Sequence, residues 1–215
     1  MRNYYHQQLS QLNEELIRMG AACEEIIGLA AQALTNHSRS LEEKTQQVGA
    51  AIDESERTIE NICLKLLLRQ QPVARDLRQI SAAMKMITDM ERIGDQAEDI
   101  VDLIPKMTRA AGEDGHMLTK MAQAAKNMVT EAVDAYVKQD LQLAGKVIGD
   151  DDIVDDYFNA VKTGIIQLIA QNPAEGEYAL DLLMIAKYFE RIGDHCTNIA
   201  EWVEFSLTGS HDIRE

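Results

Sequence analysis

Apolar residues recur along this chain at the three-to-four-residue spacing of helices that bury one face. Leu9, Leu12, Leu16 and Met19 set the register of a first helix, expected from about Tyr5 to Asn36. A second runs from about Leu41 to Arg69, and a third from Pro72, well placed as a first helical residue, to Ile104, where Pro105 stops it. After the glycine-bearing linker AAGEDGH the pattern resumes, with helices expected over about Met117–Lys138, Leu141–Ala170 and Tyr178–Leu207. QNPAEGE supplies the turn before the last. No credible run of alternating β-branched residues interrupts the series, so the fold class is all-α with six long helices.

The pentapeptide ERIGD occurs twice, at Glu91–Asp95 and Glu190–Asp194, 99 residues apart, each time on the third helix of a group of three. That period is too long for a solenoid unit of roughly 20–50 residues. It predicts a duplicated three-helix unit: two tandem, similar bundles over residues 1–110 and 111–215, joined at the linker.

A helix advances about 100° per residue. With Glu91 at zero, Asp102, Asp95 and Asp99 fall at roughly 20°, 40° and 80°, and Glu98 at roughly −20°, so five carboxylates share one arc. Met86, Met90, Ala97, Ile100 and Ile104 form the opposite, core-facing stripe. Glu190, Asp194, Asn198 and Glu201 occupy the arc of the second copy, with His195 at its edge, where it reads as a surface histidine first and a ligand second. The preceding helices carry Asp53, Glu56 and Glu60 on one face, and Asp152, Asp155 and Asn159 on another. Counting from the turns sets Asp53 level with Glu91, and Asp155 level with Glu190.

Like charges at i,i+4 and a glycine in mid-helix both cost stability. A solvated acidic face with a glycine at a close helix crossing explains one copy; the recurrence favours a site. Carboxylates converging from two helices must take up protons or share cations. Oxygen-only ligands suit Mg²⁺, Mn²⁺, Ca²⁺ or ferric iron better than a Zn²⁺ site. The expected clusters are Asp53, Glu91, Asp95 and Asp99, and Asp155, Glu190, Asp194 and Asn198.

The net charge of −15 argues against nucleic acid and anionic lipid as partners and for basic protein surfaces or cations. No apolar run approaches the roughly 20 residues of a membrane span, and the N-terminal residues lack a signal core, so a soluble cytoplasmic protein is expected. Cys23, Cys63 and Cys196 are odd in number and widely spaced, as buried reduced thiols are. No Ser–His–Asp set, Walker loop or GxGxxG appears.

RQQPVARDLR, ITDMERIGDQAEDI and YFERIGDHCTNIAEW together resemble the PhoU family of phosphate transport regulators over nearly the whole chain. The family's E(D)xxxD motif falls on Glu91 with Asp95 and on Glu190 with Asp194; its following Asp or Asn falls on Asp99 and Asn198, and its helix-2 pair on Ile52-Asp53 and Val154-Asp155. The second half lacks an ARDLR counterpart after Pro173. The resemblance implies a non-enzymatic regulator, commonly a homodimer, with multinuclear metal sites on the bundle faces (Mg, Mn, Fe or Zn). It also implies two partners, the transporter ATPase and the phosphate-sensing histidine kinase, and negative regulation of both uptake and the starvation response. Arg75 and Arg78, with Arg69, make the turn a candidate docking patch. The competing enzymatic reading is a ferritin-like di-iron oxidoreductase, which needs two Glu-x-x-His motifs; the spacing here is Glu113 to His116, in the linker.

Overall fold

The computed structural model describes residues 2–70, 74–111 and 115–210. Six long helices stand among them: α1 (Arg2–Ala33), α2 (Arg39–Gln70), α3 (Ala74–Leu103), α4 (Gly115–Lys138), α5 (Leu141–Gln171) and α6 (Gly176–Thr208). The expected Pro72 start and the centre of the AAGEDGH linker, with Glu113, lie outside the described residues. Pro105 does not end its helix abruptly. The chain tightens into a 3-10 turn, Ile104–Lys106, before leaving.

The ends have local causes. The Asp140 carboxylate accepts from the Gln142 and Leu143 amides at 3.0 and 3.1 Å, which starts α5. Gly209 closes α6 with φ +78°, its amide donating to the Phe205 carbonyl at 2.8 Å. The linker is tied back where it leaves α3: Tyr178 Oη donates to the Ala111 carbonyl at 3.0 Å, and Arg109 pairs with Glu175 at 3.0 Å.

Each run of three helices folds as one repeat, and the two repeats share a single core. α3 packs on α6 and α1 on α4, while α2 and α5 flank this centre, each against its own repeat. The α1–α4 approach is close: a Cβ on Gly20 would come within 2.9 Å of Val133 Cγ2. Of the expected α3 core stripe, Met86, Met90, Ala97 and Ile100 are fully buried and Ile104 packs against the core from its edge. The three cysteines are buried free thiols. No helix among the described residues is long and apolar enough to cross a membrane.

Candidate metal centres

The ERIGD glycines explain how the acidic arcs meet their partner helices. A Cβ on Gly94 would lie 3.2 Å from Ile52 Cδ1, and one on Gly193 3.3 Å from Val154 Cγ1. The missing side chain lets α2 sit on α3, and α5 on α6, at the same point of each repeat. This also fixes the correspondence: Ile52 with Val154, hence Asp53 with Asp155.

In the first repeat Asp53, Glu91, Asp95 and Glu98 line a groove of about 250 Å³ floored by Gly49, Ala50 and Gly94. Burial and the neighbouring negative charges raise the pKa values of Glu91, Asp95, Glu98 and Glu56. For Glu91 the main charged neighbour is Asp95, and Arg92 offsets it only in part.

In the second repeat Asp155, Glu190 and Asp194 come together with Asp151. Burial, then Asp194, Asp155, Glu190 and Asp152, push the Asp151 carboxyl up to about 6. Asp155 and Asp194 are raised as well, burial again first. Lys187 donates to both carboxylate oxygens of Glu190, so this group carries a tethered cation; the corresponding residue of the first repeat is Thr88.

The outermost members of the expected clusters face the joint between repeats. Asn198 Nδ2 donates to Asp89 Oδ1 at 3.2 Å, and His195 Nδ1 lies 2.9 Å from the same oxygen. His195 is therefore no surface residue: it is 8% exposed and Asp89 7%. The helical arc describes exposure within one repeat, and the other repeat covers this edge. Asp99 lies against Tyr188, whose phenol is pushed up by burial and then by that carboxylate. The arginines separate too. Arg75 Nη2 donates to Gln139 Oε1 at 2.6 Å, whereas Arg78 lies under Gly209, its Nε buried without a partner. The Arg69 side chain lies outside what is described.

Among the described residues no three His, Cys, Asp or Glu side chains surround one point closely enough to hold an ion as they stand. The first repeat's carboxylates line their groove rather than close on a centre. The donor set nevertheless fits a hard cation: oxygens only, two helices contributing, and a glycine-floored cradle that a Cβ would fill.

The PhoU domain model matches the chain twice, over residues 16–104 and 118–203. The chain is 33% identical to the phosphate-specific transport system accessory protein PhoU homolog of Clostridium acetobutylicum, across 97% of this chain and 96% of that one. It is also 33% identical to the homolog of the same description from Synechocystis, across 98% and 94%. The crystal structure of PhoU from Pseudomonas aeruginosa superposes with a TM-score of 0.89 at 28% identity, covering 96% of this chain and 100% of that one. With two matched domains, each carrying acids beside a glycine at a close helix crossing, the chain belongs to the PhoU family.

Proposed function

We propose that this protein is a non-enzymatic regulator of phosphate uptake and phosphate homeostasis. It holds back the high-affinity phosphate transporter when phosphate is plentiful, and through the sensor kinase it restrains the phosphate-starvation response. The observation that carries the reading is the pair of corresponding carboxylate clusters, one per repeat, in a chain whose relatives are named as phosphate-specific transport system accessory proteins.

Asp53, Glu91 and Asp95 would hold metal ions in the first repeat, and Asp155, Glu190 and Asp194 in the second, with Asp99 and Asn198 engaged at the joint between the repeats. Bound cations such as Mg²⁺, Mn²⁺ or ferric iron would neutralise like charges and change the potential each face presents to a partner. The chain's own residues set the empty-state charge: the Glu91 and Asp95 carboxylates repel one another across one helical turn, while Lys187 already compensates Glu190. Carboxylates dominate both clusters and Lys187 is engaged by Glu190, so bare phosphate would reach them only through bound cations. A homodimer would cover exposed apolar side chains of α5 and α6, among them Ile166, Leu180 and Met184.

The test has two arms. Elemental analysis of protein purified without chelator should show bound metal that the Asp95→Ala, Asp194→Ala double variant loses. A strain carrying that variant, still folded, should express phosphate-starvation genes when phosphate is abundant. Full metal content or full repression in the double variant would each remove one half of the proposal.

A further inference from the structure

The two repeats differ along the seam where the first helix of each packs on the second. In the first repeat, Ile62 on α2 is buried, 3% exposed. On α1, Glu15, its side chain 13% exposed, pairs with Arg18 at 3.1 Å. The Ile52–Val154 correspondence carries Ile62 to Gly164 on α5. On the inner helices the buried Leu16, Met19 and Ala30 match the buried Leu118, Met121 and Ala132, and the two domain matches begin at residues 16 and 118. The same register carries Glu15 to Met117 and Arg18 to Lys120.

The second repeat therefore keeps the cation without its acid, and has glycine where the isoleucine stood. Met117 and Gly164 line one groove of about 190 Å³ with Val161, Ile165 and Leu168. Ile165 and Leu182 are bulkier than their counterparts Cys63 and Ala83, and the groove stays open all the same. A Cβ on Gly164 would meet nothing within 4 Å, so no contact inside the chain calls for glycine there, although glycine weakens a helix interior. Lys120, one turn along α4 from Met117, lines a second groove on the same seam with Ile153 and Tyr157. Among the described residues no carboxylate pairs with it.

What the second seam lacks, set against the first, is one branched aliphatic side chain and one carboxylate. We propose that this notch is a docking site for a partner protein, which inserts a leucine or isoleucine where Ile62 sits in the first repeat and sets an aspartate or glutamate against Lys120. An anchor side chain in a preformed pocket carries much of the energy of such a contact, and the charge pair at its rim adds orientation and rate. The inference rests on the reading of this chain as a regulator that acts through partner proteins, and it names a surface for one of them.

Two measurements test it. Isocaproate, a branched aliphatic chain ending in a carboxylate, carries both missing groups. In NMR spectra of the full chain with labelled methionine methyls it should shift the Met117 methyl saturably. It should bind up to about fivefold more tightly than isocaproamide, and Lys120→Gln should erase that margin. Gly164→Ile, which restores the first repeat's side chain, should abolish the shift. No saturable shift in wild type, or one that survives Gly164→Ile, overturns the site; equal binding of acid and amide overturns the part given to Lys120. In cells at high phosphate, Gly164→Ile should release the phosphate-starvation genes, whereas Gly164→Ala, which leaves the notch open, should repress them as wild type does. Melting shows that both variants are folded, and Gly164→Leu serves if Gly164→Ile is not. Normal repression by the folded, notch-filled protein overturns the docking role, and so does a loss of self-association in that variant, which would give the notch to a second copy. Starvation genes that stay repressed when the whole chain is deleted overturn the regulator reading itself.

Discussion

Asn198 hands its side-chain amide to Asp89 across the joint between the repeats, at 3.2 Å. The same contact recurs with the roles moved by one repeat: Tyr188 stands where Asp89 stood, Asp99 where Asn198 stood, and the two meet. α3 and α6 are thus related by an approximate two-fold, and each repeat holds the far end of the other's acidic arc. Because α3–α6 is the most extensive contact between the repeats, these polar pairs sit where they can fix its register.

Removing Asp89 leaves the His195 and Asn198 donors without their acceptor in a buried setting. Asp89→Ala should lower stability by about 1–3 kcal/mol. Urea unfolding at neutral pH measures it, and a change under about 0.5 kcal/mol would show that water replaces the carboxylate.

Gly49→Ala has the opposite sign. The new Cβ meets the end of a flexible glutamate, not backbone, so Glu98 swings out instead of the helices parting. Alanine then gains up to about 1 kcal/mol of helix propensity. With chelator present the variant should melt at or above wild type; melting clearly below it would mean that α2 and α3 are forced apart.

The repeat, the helix order and the acidic arc were legible because each depends on spacing within one helix. Asp151 was not. Its neighbours Asp194 and Glu190 stand on another helix, and aligning the repeats by the ERIGD period alone brings Asp152 opposite Asp53. Only the packing of Ile52 and Val154 on the two glycines sets the α2–α5 register three residues further on. His195 reads as a surface residue on a helical wheel for a related reason: the wheel omits the first repeat, whose Asp89 covers it. Lys187 lies one turn before Glu190, and that charge-compensating spacing could have been noticed.

The acids set the pH response. Asp151 is raised to about 6, and Glu56, Glu91, Asp95, Glu98, Asp155 and Asp194 shift the same way. A carboxyl whose folded pKa exceeds its unfolded value of about 3.9 binds its proton more tightly when folded, so its contribution is present below that value and is lost as pH rises through the folded pKa. Metal-free protein should therefore lose stability between about pH 4 and pH 6–7. Asp151→Asn should flatten the upper part of that fall. Urea midpoints across the range check it, and a rising midpoint would contradict the sign.

The docking patch resolves into two residues with different burdens. Arg75 is exposed and makes one side-chain hydrogen bond, to Gln139. Arg78 packs under the left-handed Gly209 that ends α6, its Cζ 3.3 Å from where a Cβ would be, so its charge lies beside a helix C-terminus. A cation there is worth about 0.3–1 kcal/mol, and an anion reverses the sign. Arg78→Glu should accordingly destabilise by about 1–2 kcal/mol through the helix end and lost packing. Arg75→Glu should stay within about 0.5 kcal/mol of wild type. The proposed docking role is therefore tested with Arg75→Glu alone. In cells at high phosphate, that folded variant should release the phosphate-starvation genes and recover less transporter ATPase in a pull-down. If it represses normally, Arg75 has no part in docking, and any defect of Arg78→Glu traces to the end of α6.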